Sequence, residues 1–154
     1  MMQIKATIRG FTFVEILVVI AILGVIAGLS GEAFRNMYES SAHRRGGEEV
    51  YRALTDAQSS TLASEGNTVY GVHLTPDSVT RFTGAVYAQG APANKVYEFE
   101  GGVTATGTLV AGGDVLFARL TGEPSASGTV LIRNSAGTGT TTIVIHASGL
   151  IEYE

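Results

Sequence analysis

The stretch GFTFVEILVVIAILGVIAGL, residues 10–29, decides how the N-terminal part of this chain folds. Between residues 11 and 29 the only ionisable side chain is that of Glu15. At about 1.5 Å per residue, this run spans roughly 28 Å as a helix, close to the hydrocarbon thickness of a bilayer. Its length and composition predict a membrane-spanning helix.

Glu15 is the anomaly in this helix, because a carboxylate at membrane depth costs about 2.5–3.5 kcal/mol even on lenient insertion scales. It lies four residues after Phe11, so it can meet a positive charge at the start of its own helix or of a neighbouring one. A cut after Gly10 would give Phe11 a free amine of that kind. We therefore expect the Glu15 carboxylate to pair with an N-terminal amine.

Together with the cationic leader of residues 1–10, these residues resemble the N-terminus of type IV pilins and type II secretion pseudopilins. The resemblance implies that prepilin peptidase cuts after Gly10 and that Phe11 becomes N-methylated. It also implies that Glu15, with Phe11, guides subunits into a filament. The partners it implies are other pilin or pseudopilin subunits, a membrane-embedded assembly platform and, before assembly, the lipid bilayer.

Two other interpretations compete with a filament subunit. A secretory signal peptide has a shorter apolar region with a small-residue cleavage site and needs no internal glutamate. A single-span anchored binding module needs the same apolar helix and stays open. In the filament and anchored cases Lys5 and Arg9 precede the span and stay cytoplasmic. We therefore expect a single-pass protein of the cytoplasmic membrane whose C-terminal domain lies outside, and later a surface filament.

Length and composition limit which folds and functions are possible for the exterior part, the residues beyond 30. Beyond residue 30 roughly 125 residues remain, enough for one domain. The chain has no cysteine, so its stability depends on packing and hydrogen bonds, and many major pilins with a C-terminal disulfide differ from it. From Phe11 onward there are eight Lys and Arg against fourteen Asp and Glu, a net charge of −6. This balance argues against a general polyanion binder.

Residues 31–66 predict an amphipathic continuation of the first helix. We expect this helix to bend or break at its glycines, because each costs up to about 1 kcal/mol relative to alanine. The sequence Glu65-Gly66-Asn67 predicts its end. Apolar residues and one threonine at spacings of three and four form one face: Phe34, Met37, Tyr38, Val50, Leu54, Ala57 and Thr61. The glycines in question are Gly28, Gly31, Gly46 and Gly47.

Residues 67–154 predict an antiparallel β domain, so the fold class is α+β, with a long N-terminal helix against sheets. Glycine, threonine and valine dominate, and short runs alternate with turn residues. Residues 84–94 predict an exposed loop, and 103–110 predict a further strand. The predicted strands are 68–74, 78–82, 95–99, 114–120, 129–133, 140–146 and 150–153.

The exterior part resembles the family of H-type pseudopilins and FimT-like minor pilins. The resemblance is carried by LTDAQSS at 54–60, VYGVHL at 69–74 with Arg81-Phe82, and TIVIHASGLI at 142–151. It implies a minor or initiating subunit with a long helix against antiparallel sheets. Some FimT-like proteins bind DNA through a basic C-terminal segment, whereas residues 149–154 here are acidic. A DNA-uptake minor pilin is therefore only an alternative.

No motif in the chain predicts an enzyme, a cofactor or a metal site. His43, His73 and His146 are far apart and fit scattered surface or edge-strand positions. The glycine pairs at 101–102 and 112–113 fit turns, because neither a phosphate-loop lysine nor alternating acidic ligands accompany them.

Arg44-Arg45 beside Glu48-Glu49 predicts a solvated helical face with near-neighbour ion pairs, or else charge matching between subunits. The sequence as a whole predicts a non-enzymatic subunit, in the minor role, of a type IV pilus or type II secretion pseudopilus.

Overall fold

A computed structural model describes residues 10–154, with the side chains of 10–28, 37–110 and 113–154. The chain forms two compact units that divide between Met37 and Tyr38. In order, the helices and strands are α1 Phe13–Leu62, a 3-10 turn Glu65–Asn67, β1 Tyr70–Leu74, β2 Ser78–Thr83, β3 Lys95–Glu98, β4 Thr104–Thr106, α2 Thr108–Gly112, β5 Asp114–Leu116, β6 Gly128–Arg133, β7 Thr140–Ile145 and β8 Ile151–Tyr153.

The α1 helix is continuous over 50 residues, so the expected break at its glycines is wrong. Gly46 and Gly47 stay helical because side chains from the second sheet lie close against them. A Cβ atom at Gly46 would lie 3.1 Å from Cγ1 of Val103, and one at Gly47 would lie 2.8 Å from the hydroxyl of Tyr153. Because these glycines have no side chain, residues of the β domain can pack directly against the helix backbone. This tertiary packing outweighs their low helix propensity.

The membrane-spanning part of the fold prediction is not confirmed. Among the residues that the structure describes, no helix combines the length and the apolar character needed to cross a membrane.

Two four-stranded antiparallel sheets form the β part, and the α+β class predicted from the sequence is confirmed. The first sheet has the order β3-β2-β1-β5 and the second β4-β6-β7-β8. In the first, Val72 pairs with Arg81 on one side and with Val115 on the other. Each of the seven predicted strand segments overlaps an observed strand, although the one at 114–120 is reduced to β5.

The core lies between the second part of α1 and the two sheets. The predicted helix face is confirmed at four positions, which are fully buried: Val50, Leu54, Ala57 and Thr61. Thr61 is satisfied there, because its Oγ1 donates to the Ala57 carbonyl at 2.8 Å and accepts from the Tyr70 amide at 2.9 Å. The face does not include Met37 and Tyr38, which are exposed. The side chain of Phe34 lies outside the described residues.

The outer face of the first sheet carries a second, smaller packed group. The Phe82 ring lies over Gly71, its cross-strand partner, where an added Cβ would come within 2.5 Å of Cζ. Tyr87, from the irregular segment 84–94, stacks on His73 with ring centroids 3.9 Å apart and meets Phe82 edge to face. The predicted loop is therefore present, but one of its aromatic rings packs on the sheet.

Residues 103–110 differ from the single strand that the sequence predicts. They form the short β4 and then begin α2. Gly107 separates the two with φ of 124°, a conformation that favours glycine, and its backbone lies against the Thr129 carbonyl of β6. Hydrophobic alternation along the chain does not reveal such a contact.

Candidate functional site

The start of α1 is a capping box built by Thr12 and Glu15. The Thr12 carbonyl accepts the first helical hydrogen bonds, from the amides of Glu15 and Ile16 at 3.1 and 3.2 Å. The Glu15 amide also donates to Thr12 Oγ1 at 3.3 Å, and the Thr12 amide donates to Glu15 Oε2 at 3.4 Å. This reciprocal arrangement satisfies donors that a helix start otherwise leaves unpaired. Thr12 was missed by the sequence analysis, although Thr-x-x-Glu before an apolar run is a known signal.

The residues predicted to matter for processing and assembly lie together at this helix start. Gly10, Phe11, Thr12 and Glu15 line one shallow recess of about 470 Å³. The side chain of Phe11 is 82% exposed beside it. The leader residues Lys5 and Arg9 lie outside the described residues. Their charge therefore enters the argument from the sequence alone.

The Glu15 carboxylate has the chemistry to take an additional cation. An ionised carboxylate offers about four acceptor positions, and the Thr12 amide uses one of them. The helix start favours negative charge as well, because the unpaired amide groups of the first turn carry partial positive charge. Both partners of the capping box lie after the Gly10–Phe11 bond. A cut at that bond therefore leaves the box intact and adds an amine at Phe11.

The helix surface around and after the box is apolar on all sides, apart from Thr12 and Glu15. Its large side chains are between about half and four-fifths exposed in the isolated chain. A helix that is apolar all round is stable only where lipid or protein covers it. The exposed residues are Phe11, Phe13, Val14, Ile16, Leu17, Val18, Val19, Ile20, Ile22, Leu23, Val25 and Ile26.

The histidines are paired individually in the folded domain. His73 Nδ1 lies 2.6 Å from Oδ1 of Asp114, its cross-strand neighbour, and His146 Nε2 lies 2.8 Å from Oε2 of Glu152. His43 Nε2 lies 3.1 Å from the Ile132 carbonyl. Within the described part of the chain, no group of three or more histidines, cysteines and carboxylates is arranged to hold a metal.

One exposed ion pair joins the charged face of α1 to the loop before β4. Arg45 Nη1 lies 3.7 Å from Glu100 Oε2, and both side chains are exposed. Burial, followed by the negative charge of Glu100, raises the pKa of Glu49 above its ordinary value. Arg45 and Arg52 oppose this rise. An exposed pair of this kind contributes little stability.

The comparisons with known proteins concern the helix start. Residues 5–31 match the family model of the prokaryotic N-terminal methylation motif. No curated protein and no solved structure matches the chain. The match covers the recess and the apolar segment after it.

Proposed function

We propose that this chain is a pilin-like or pseudopilin filament subunit, cut by prepilin peptidase after Gly10 and N-methylated at Phe11. The match of residues 5–31 to the methylation motif carries the proposal. The recess shared by Gly10, Phe11 and Glu15 supports it, since cleavage, methylation and charge pairing all concern this point.

The assembly step follows from the apolar helix. Before assembly the exposed apolar side chains of α1 are covered by lipid, and in the filament they are covered by helices of other subunits. The Glu15 carboxylate pairs with the Phe11 amine of a neighbour, so neither charge is left alone in an apolar setting. A head-to-tail interface that does not close produces a fibre. This mechanism requires no catalysis by the chain itself.

Within this class we propose the minor or initiating role. The absence of cysteine and the resemblance of the exterior part to H-type and FimT-like proteins favour it. A permanently anchored binding module is the alternative with the same apolar segment. DNA uptake is disfavoured because the chain from Phe11 onward carries a net charge of −6.

The direct test changes the residue before the cut. In cells that contain the processing enzyme, Gly10→Val is expected to abolish the mature form, because a branched side chain replaces the smallest residue at the cleavage position. The measurement is the size of the chain on a denaturing gel, with Gly24→Val as the control. A mature-size band from Gly10→Val would refute the cleavage site. The anchored binding module would then be the favoured interpretation.

A further inference from the structure

One loop of the β domain presents a leucine to solvent in a strained conformation. Leu120 is 89% exposed and has φ of 77°, in the left-handed region that a bulky side chain rarely adopts. Such backbone strain persists where the surroundings enforce it, and it concentrates at functional positions. An exposed leucine alone needs no explanation, but an exposed leucine held in this way does.

The loop that carries Leu120 is fixed from several sides. The Gly122 amide donates to the Ala118 carbonyl at 2.9 Å, and the Ala118 amide donates to the Glu123 carbonyl at 2.8 Å. Gln58 of α1 donates to the Gly122 carbonyl at 2.9 Å, and Arg119 donates to Asn67 Oδ1 at 3.0 Å. The backbone of the loop is therefore held in place before any partner arrives, which lowers the entropic cost of ordering it on binding.

A groove elsewhere on the same domain offers aromatic rings that could cover an apolar side chain such as that of Leu120. It runs along α1 beside the last strand, has a volume of about 500 Å³, and contains two tyrosine rings in edge-to-face contact, with centroids 5.9 Å apart. In the ion pairs that Arg45, His73 and His146 form with described residues, neither arginine of the groove takes part. The lining residues are Arg44, Glu48, Tyr51, Arg52, Thr55 and Tyr153.

We propose that the Leu120 loop of one copy docks into this groove on a second copy of the chain. The leucine supplies the apolar anchor that the tyrosine rings can cover. The flanking charge matches as well, because the Glu123 carboxylate can meet Arg44 or Arg52 of the groove. Loop and groove are different surfaces, so the contact is head-to-tail and continues from copy to copy.

The inference rests on the proposed filament function and adds a contact outside the N-terminal helix. It rests on filament membership alone and not on the minor role, because it requires neighbouring copies of the chain, and a positive result would replace the minor role with that of a repeating subunit. Its test must separate a failure of this contact from a failure of filament formation.

The chain has no native cysteine, so any disulfide that forms must involve the introduced cysteines. In the full-length chain, Thr55→Cys in the groove and Thr121→Cys next to Leu120 are combined, and the cells are treated with an oxidant. The expected result is a ladder of linked multimers, because each copy offers both surfaces. The matched control replaces Thr121→Cys by Val86→Cys, on another exposed loop, and should give no ladder.

A further substitution separates docking from folding. Leu120→Gly removes the side chain and suits the backbone conformation, so the melting temperature should be unchanged or raised. In the two-cysteine chain it should reduce the cross-linked product by about tenfold or more, from the lost leucine burial. Val86→Gly should leave the product unchanged.

Several results would overturn the inference. These are no ladder in either the membrane or the sheared-filament fraction, an undiminished ladder with Leu120→Gly, or dimers from Thr121→Cys alone. The mass of the N-terminus and the fractionation report on filament formation separately. Filaments without the ladder would leave the proposed function standing, whereas a ladder in membranes without filaments would support docking and count against the filament.

Discussion

The two units of this chain treat apolar side chains in opposite ways. Between Phe11 and Ile26 nearly every large apolar side chain is exposed, whereas Val50 and Leu54, farther along the same helix, are fully buried. The second unit finds its core within the chain, between α1 and two sheets. In the first unit the large apolar side chains of residues 11–26 lie on the surface, and the filament proposal has lipid or other subunits cover them. The difference shows which region stabilises the folded domain, and under the proposed function the other region serves assembly.

The largest expected effect concerns Glu15, the only ionisable side chain between residues 11 and 29. Glu15→Leu and Glu15→Gln should each reduce incorporation into filaments by about a hundredfold or more, because the partner amine loses its counter-ion in an apolar setting. Glutamine retains the capping box, so it isolates the charge. The measurement is the ratio of the chain in sheared and membrane fractions.

Thr12→Ala is the matched control for Glu15, since it removes the cap and keeps the charge. It should cost about 1 kcal/mol of helix stability and leave incorporation nearly normal. If Glu15→Gln assembled normally while Thr12→Ala did not, the role of Glu15 would be capping rather than ion pairing.

The next prediction compares the substitution of a buried leucine in the second unit with that of an exposed leucine in the first. Leu54→Ala should lower the free energy of unfolding of the β domain by about 2–5 kcal/mol, because it opens a cavity in the core. Leu17→Ala should change it by less than about 0.5 kcal/mol. All six tyrosines lie in the second unit and the chain has no tryptophan, so tyrosine fluorescence during denaturation reports on that unit alone. Equal effects of the two changes would contradict the division.

A pair of glycines gives a smaller effect of the same kind. Gly71→Ala should destabilise the domain by about 1–3 kcal/mol, because the new Cβ would meet the buried Phe82 ring and the Val115 carbonyl. Gly24→Ala meets nothing within 4 Å and should leave the domain unchanged. The same denaturation measurement compares them, and a neutral Gly71→Ala would show that the outer face of the first sheet is loosely packed.

The smallest effect concerns pH and the charged face of α1. The folded-state pKa of Glu49 is raised above 4.5, so its ionisation opposes folding. The unfavourable contribution is present above the folded-state pKa and is lost as the pH falls below 4.5. Glu49→Gln should therefore stabilise the domain at neutral pH and lose that advantage below pH 4.5. An advantage independent of pH would assign it to packing instead.

Much of this fold is predictable because it follows local periodicity. The buried positions of α1 recur at spacings of three and four, and short valine- and threonine-rich runs separated by turn residues mark the strands. The predicted processing residues Gly10, Phe11 and Glu15 share one recess because they lie within six residues of one another at the helix start. Their roles in cleavage, methylation and assembly stay predictions.

The features that escaped prediction depend on contacts distant in sequence. Gly46 and Gly47 remain helical because the second sheet lies against them, and the pairing of His73 with Asp114 requires the register of β1 and β5. The strain at Leu120 depends on bonds from α1 and from the loop itself. Thr12 is different, because its capping pattern was visible in the sequence.

The central claim is that the chain is cut after Gly10 and enters a filament, and the mass of its N-terminus tests this most directly. The chain would be taken from its native cells, and membrane and sheared-filament fractions would be compared by mass spectrometry. The account predicts a chain that begins at methylated Phe11 and is enriched in the sheared fraction. An intact Met1 found only in membranes would contradict it and favour the anchored binding module.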